Sequence, residues 1–215
     1  MMNRKNLIYG LLMLCAVSGC RQQEAFDSKV YRNAIGNAAR THEGYNRCMD
    51  YVEGWLDQRD SLSGLIPQNL TSGRDVWNGH NSAADNYPFM VLTTHLLDRD
   101  MYHNVMHNML KKEKALSSRV GPLPDEYSFS KESFSHETVD MGRIVFGASE
   151  YIKDGLVPLM EYIGPSPWHE RMMEMLDALS THFTVIRPGV LGIERDSRVE
   201  EVNGEMMQTL SRVYW

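Results

Sequence analysis

Apolar side chains recur at three- and four-residue intervals along most of the chain, the spacing that gathers one face of an α-helix. Tyr31, Ala34, Ala38, Tyr45, Met49, Val52 and Leu56 form the first such stripe. The pattern breaks over 60–67, where Gly64 and Pro67 stop a helix and predict a loop. Pro88 suits the first turn of a second helix, where its missing N–H would have no partner anyway, and that helix continues to Leu97. A third helix is predicted over 102–116 and a fourth over 138–162, with Pro158 expected to kink it. Ser166 and Pro167 supply a cap and a first-turn residue for a fifth, whose stripe is Trp168, Met172, Met175, Leu179 and Phe183. Val199, Val202, Met206, Leu210 and Val213 make a sixth. Residues 121–135, with Pro122, Pro124 and several serines, read as a long loop, and 184–196 as an irregular or short extended stretch. No sustained apolar–polar alternation marks a sheet. The predicted class is all-α, in antiparallel helical hairpins.

The first residues follow a different logic. Arg4 and Lys5 precede an apolar run, Leu7 to Val17, that is too short to span a bilayer as a stable helix. It ends in Val17-Ser18-Gly19-Cys20, which resembles the lipobox of bacterial lipoproteins. The resemblance implies that residues 1–19 are a signal peptide, that Cys20 is lipidated, and that 20–27 tether a domain spanning 28–215. It places the protein in the cell envelope, anchored to a membrane through the lipid on Cys20.

Composition narrows the class. The 215 residues are 42% apolar and 23% charged, with a mean hydropathy of -0.41, as in globular proteins. A formal charge of -6 offers no basic patch for phosphates, so nucleic acid is not an expected partner. Cys15 leaves with the leader and Cys20 carries lipid, so Cys48 stands alone, and its place near the first stripe reads as packing rather than as a nucleophile. His103 and His107 have the four-residue spacing that can hold zinc on a helix. Asn104, however, stands where the protease motif has its glutamate, and the pair reads as solvated. Neither a metal nor a cofactor is expected.

Chemistry-bearing residues concentrate ahead of the second helix, in Asp75-Val76-Trp77-Asn78-Gly79-His80-Asn81-Ser82-Ala83-Ala84-Asp85-Asn86-Tyr87-Pro88. Trp77 and Tyr87 have the rings to stack on a pyranose, while Asn78, His80, Asn86 and Asp85 can bond its hydroxyls. The bland alternative is that Asp85 or Asn86 caps a helix and Trp77 plugs a gap. Glycoside hydrolysis needs two carboxyl groups across the scissile bond, so Asp85 is the first candidate, and Glu150 or Asp154, four apart on one helical face, the second. Their alternative is a solvated face with Lys153 in surface ion pairs. Glu126 and Tyr127, in the long loop, form a further polar–aromatic pair suited to substrate contact.

Gly54-Trp55-Leu56, Ser63-Gly64-Leu65-Ile66-Pro67, Trp77-Asn78, Ala83-Ala84-Asp85-Asn86-Tyr87-Pro88-Phe89 and Glu150-Tyr151-Ile152-Lys153-Asp154-Gly155-Leu156 together resemble the N-terminal part of six-hairpin glycosidase-like proteins. That family comprises (α/α) toroids that include unsaturated glucuronyl hydrolases and other polysaccharide-degrading enzymes. The resemblance implies about half of an (α/α)6 toroid, since six predicted helices make about three hairpins. The chain also ends on Tyr214-Trp215 in mid-stripe, without a capping residue, the pattern of a truncated toroid. Half a ring leaves an apolar face uncovered and invites self-association. The expected function is that of an exported, lipid-anchored carbohydrate-active protein, a glycoside hydrolase acting on polysaccharide or oligosaccharide. The alternatives are a polysaccharide lyase using Tyr127, Tyr87 or His80 as base, and a non-catalytic glycan-binding remnant.

Overall fold

The computed structural model describes residues 28–181, 184–187, 190–192 and 199–214. The lipobox-like segment, Cys20 and the tether lie outside the described residues, as do Phe183, Trp215 and parts of the 184–196 stretch. The chain forms two units, Met1–Asn46 and Arg47–Trp215.

The described part of the first unit is helical. It belongs to α1 (Ser28–Leu56), and Val30, Tyr31, Ile35 and Tyr45 on it are exposed. In the second unit the last turns of the same helix carry Val52 and Leu56, which are buried in the core.

The second unit is mostly helical, as the spacing predicts. Its other helices are α2 (Tyr87–Leu97), α3 (99–117), α4 (141–163), α5 (Pro167–Thr181) and α6 (Val199–Tyr214). Pro88 stands in the first turn of α2. At the head of α5 the Ser166 hydroxyl accepts from the His169 N–H at 3.4 Å, the cap that the Ser-Pro start signal predicts. Asp98 and Asp140 cap α3 and α4 by accepting from Met101 N–H (2.9 Å) and Arg143 N–H (3.1 Å).

Three segments wind with the wider i→i+5 pattern of a π-helix: Gly79–Ala84 on its own, Tyr102–Met106 within α3 and Tyr151–Leu156 within α4. The last ends immediately before Val157 and Pro158. A proline there has no N–H for the preceding turn, and α4 meets that break with a wide turn.

The expectation of no sheet is corrected. Val76–Trp77 (β1), Tyr127–Ser128 (β4) and Ser133–Phe134 (β5) pair antiparallel in the order β1-β4-β5, with Trp77 opposite Tyr127. Ser118–Val120 (β2) pairs with Leu123–Pro124 (β3), and Thr184–Arg187 (β6) with Val190–Gly192 (β7). Most of the predicted long loop is therefore hairpin. Strands of two to four residues are too short to print an alternation on the sequence.

The core joins these pieces through Trp77, Tyr87, Met106, Ile144, Ile152 and Trp168. Within it Arg171 of α5 grips Glu113 of α3 through two bonds, Nη2 to Oε1 at 2.7 Å and Nε to Oε2 at 3.2 Å. Its remaining Nη1 donates to the Pro122 carbonyl at 2.6 Å, tying in the β2–β3 turn. Both side chains are fully buried, and every bond is needed to offset the desolvation of two charges.

Candidate functional site

The 75–88 segment is built by close packing first. The Gly79 Cα sits so near α4 that a β-carbon there would lie 2.7 Å from the Gly147 carbonyl oxygen. At the other end of the same turn, a β-carbon on Gly155 would lie 3.3 Å from the Ala84 Cα and 3.0 Å from the Tyr151 ring. The run of small residues Gly79, Ser82, Ala83 and Ala84 therefore lets a π turn lie against α4 at Gly147 and Gly155.

Asn78 starts that turn. Its Oδ1 accepts from the N–H groups of Asn81 (2.8 Å) and Ser82 (3.1 Å), and its Nδ2 donates to Gln68 Oε1 (2.5 Å). Asn86 is likewise held: Oδ1 accepts from the Tyr51 hydroxyl at 2.6 Å, and Nδ2 donates to the Asn81 carbonyl at 2.8 Å. Both side chains are buried and bonded within the protein, and Asn86 makes no side-chain cap on α2.

Trp77 and Tyr87 are corrected as stacking platforms. They are 0% and 1% exposed, and the Trp77 Nε1 donates to the Tyr87 hydroxyl at 2.8 Å. A ring with no open face cannot stack on a sugar, and additional protein could only bury it further. Tyr127 is buried in the same way, opposite Trp77. Burial raises the phenol pKa of both Tyr87 and Tyr127, which disfavours either as a proton-abstracting base. His80 is half-buried, with its Nε2 3.2 Å from Asn78 Nδ2 and its ring edge-on to Phe146. Glu126 is paired with His136 at 3.0 Å.

Two predicted carboxylates do meet. Asp85, just after the π turn, and Asp154, in the π turn of α4, line one cleft of about 260 Å³ with Pro88, Phe89, Pro158 and Tyr162. The two aromatic rings are open to solvent, Phe89 by 43% and Tyr162 by 73%. Phe89 is steadied by edge-to-face contact with Tyr51, whose ring centroid is 4.7 Å away. Burial pushes the Asp85 carboxyl above its ordinary pKa; His80 opposes the shift and the nearby Asp154 adds to it.

Glu150 faces a different neighbour. It begins the π turn that carries Asp154, and Lys153 Nζ stands close to both carboxylates, 2.7 Å from Glu150 and 3.4 Å from Asp154. Glu150 meets Lys153 Nζ at 2.7 Å, and Lys153 also bonds Glu205 of α6. Burial and the Glu205 carboxylate raise Glu150 to about 7, against the pull of Lys153, while Glu205 is lowered by its bond to Glu150. Of the two carboxyls, Glu150 is therefore the one that holds a proton more tightly. Lys153 itself is only 8% exposed, while its partners Glu150 and Glu205 are half-buried and Asp154 is open to solvent, so the ion pairing forms a partly buried junction between α4 and α6. Asp154 is held at its edge, 3.2 Å from Arg212 Nη1 and 3.4 Å from Lys153 Nζ.

Phe89, Tyr162, Glu205 and Arg212 were not singled out from the sequence. Tyr162 lies at the end of the helix predicted over 138–162.

His103 and His107 lie in and just after the π turn of α3. His107 packs edge-on against Tyr102 and Trp168 (5.0 Å each), which makes it part of an aromatic stack. Among the described residues no group of three His, Cys, Asp or Glu side chains is arranged to hold a metal ion. Cys48 is half-buried with a free thiol.

No protein-family model matches the chain, and neither a curated protein nor a solved structure is significantly similar to it.

Proposed function

We propose that this is an exported, lipid-anchored carbohydrate-active protein whose glycan site is the cleft between α2 and α4. The observation that carries this reading is that Asp85 and Asp154, distant in sequence, line one cleft together with the exposed aromatic residues Phe89 and Tyr162. Rings take up the apolar face of a sugar and carboxylates bond its hydroxyls.

In a glycoside hydrolase the two carboxyls divide the labour. Asp85, whose surroundings strengthen its hold on a proton, is the acid that protonates the leaving oxygen. Asp154, ion-paired with Arg212 and Lys153, is the carboxylate that serves as base or nucleophile. The half-toroid arrangement fits the run of helices in the second unit and the exposed apolar side chains on α2, α4 and α5. Cys20 is the residue that carries the lipid.

The test is a panel of oligosaccharides offered to the purified chain, following binding and reducing-end release together. Release that falls by about 10²-fold or more in Asp85→Asn and Asp154→Asn, with binding kept, supports the reading. Binding without release in the parent chain leaves a glycan-binding protein, and no binding to any glycan removes the proposal.

A further inference from the structure

We infer that the first stretch of α1, residues 28–46, pairs with the same stretch of a second copy of this chain as a two-stranded coiled coil.

The spacing of its apolar face points there. Along α1 the positions Tyr31, Ile35, Ala38, His42, Tyr45, Met49, Val52 and Leu56 follow one another in alternating steps of four and three, without a break. Such a seven-residue repeat keeps one narrow seam facing one partner helix, whereas a helix set into a broad core carries a wider stripe. From Tyr31 to Tyr45 every position of the seam is exposed, Met49 is half-buried, and Val52 and Leu56 are in the core. Among the described residues the chain thus covers only the last turns of the seam.

Charge favours a like helix as the cover. Lys29, Arg40 and Glu43 stand on the side of α1 away from the seam. Of the positions that flank it, Arg32, Ala34, Ala39, Thr41 and Asn46, one is charged, so two copies close without setting like charges against each other. A lipid surface fits less well. A helix lying among headgroups sets basic groups beside its apolar face, and Lys29 and Arg40 stand opposite it.

The size suffices. Residues 28–46 span about 28 Å, and two such faces about 10 Å wide remove on the order of 1,000 Å² of surface together, the lower bound of a specific interface. Gly36 and Gly44 weaken a helix of this length in water, and pairing supplies packing that offsets their cost.

The experiment is sedimentation equilibrium of the purified full chain at micromolar concentrations. The expected mass is twice the 24.7 kDa of one chain. Ile35→Asp and Tyr45→Asp place a charge in the seam, and each is expected to weaken the dimer by about tenfold or more. Asn37→Asp puts the same charge on the outer side of the helix and should leave the dimer unchanged, as should Leu96→Asp on α2. His42→Leu exchanges a polar seam residue for an apolar one and is expected to tighten the dimer by about tenfold, a gain that a damaged fold would not give. A chain that stays monomeric, or an association that survives both seam aspartates, overturns the inference. Losses in Asn37→Asp or Leu96→Asp as large as in Ile35→Asp also overturn it, by assigning association to net charge or to α2. Unchanged affinity in His42→Leu takes His42 out of the seam and breaks the repeat. A monomer that binds vesicles of anionic phospholipid makes α1 a membrane-surface helix instead.

Discussion

At Trp77 an aromatic side chain set among polar neighbours has two readings, a platform for a ligand or a plug for the core, and composition alone does not separate them. The structure separates them by one bond, from the indole Nε1 to the Tyr87 hydroxyl at 2.8 Å, deep in the core. Trp77→Ala is therefore expected to act through stability. It should cost about 3–5 kcal/mol for the cavity and the orphaned hydroxyl, read as a fall of roughly 10 °C in melting temperature. A variant that melts like its parent would place Trp77 outside the core. Glu150 makes a second prediction at this scale. Its pKa stands near 7 in the fold against 4.5 for an ordinary glutamate, so the folded chain binds a proton more tightly than the unfolded one across that interval. Stability must then fall as pH rises from about 4.5 to about 7, by about 1 kcal/mol for a partly solvated carboxyl. Glu150→Gln keeps a hydrogen-bonding group in place without the titration, and should flatten that part of the curve. Denaturant midpoints at closely spaced pH values check it.

Among the elements, helix starts were the most legible. Pro88 and Ser166-Pro167 act through local backbone chemistry, which needs no knowledge of the rest of the fold. The short strands and the π turns were not, because a two-residue strand has no period and no residue type marks where a helix takes up one extra residue. The site was legible in part for the same reason. Asp85 and Asp154 were found as candidates, but their meeting depends on the direction in which α4 carries Asp154. The close approach of the Gly79–Ala84 turn to α4 was also hidden, since small residues beside polar ones look like a flexible loop. It predicts that Gly79→Ala is destabilising even though alanine favours helix: its β-carbon would press on the Gly147 carbonyl, at a cost of about 1–3 kcal/mol. Thermal melts of Gly79→Ala beside Gly147→Ala are the comparison, because a β-carbon at Gly147 meets nothing within 4 Å.

At the scale of the whole second unit, the apolar side chains left outside the core are as informative as those within it. Leu96, Leu97, Phe89, Tyr162, Met173 and Met207 are all exposed. Scattered apolar groups are ordinary on a protein surface, whereas a contiguous patch marks a face that another surface covers. The purified chain is expected to self-associate, with a mass by light scattering above that of a 24.7 kDa monomer and increasing with concentration. A constant monomer mass that takes up no hydrophobic dye would argue that these side chains are dispersed.

The wide turn at Tyr151–Leu156 gives α4 a property that no substitution can probe. A π turn corresponds to one residue more than an α-helix needs to cover the same path. Chain length, rather than the chemistry of any side chain, therefore decides which way Asp154 points relative to Glu150. Deleting one residue within the turn would let the helix close into the ordinary register and rotate Asp154 by about 100° relative to Asp85. All of the carboxylates would survive, yet the pair would be parted: loss of function by phase rather than by composition.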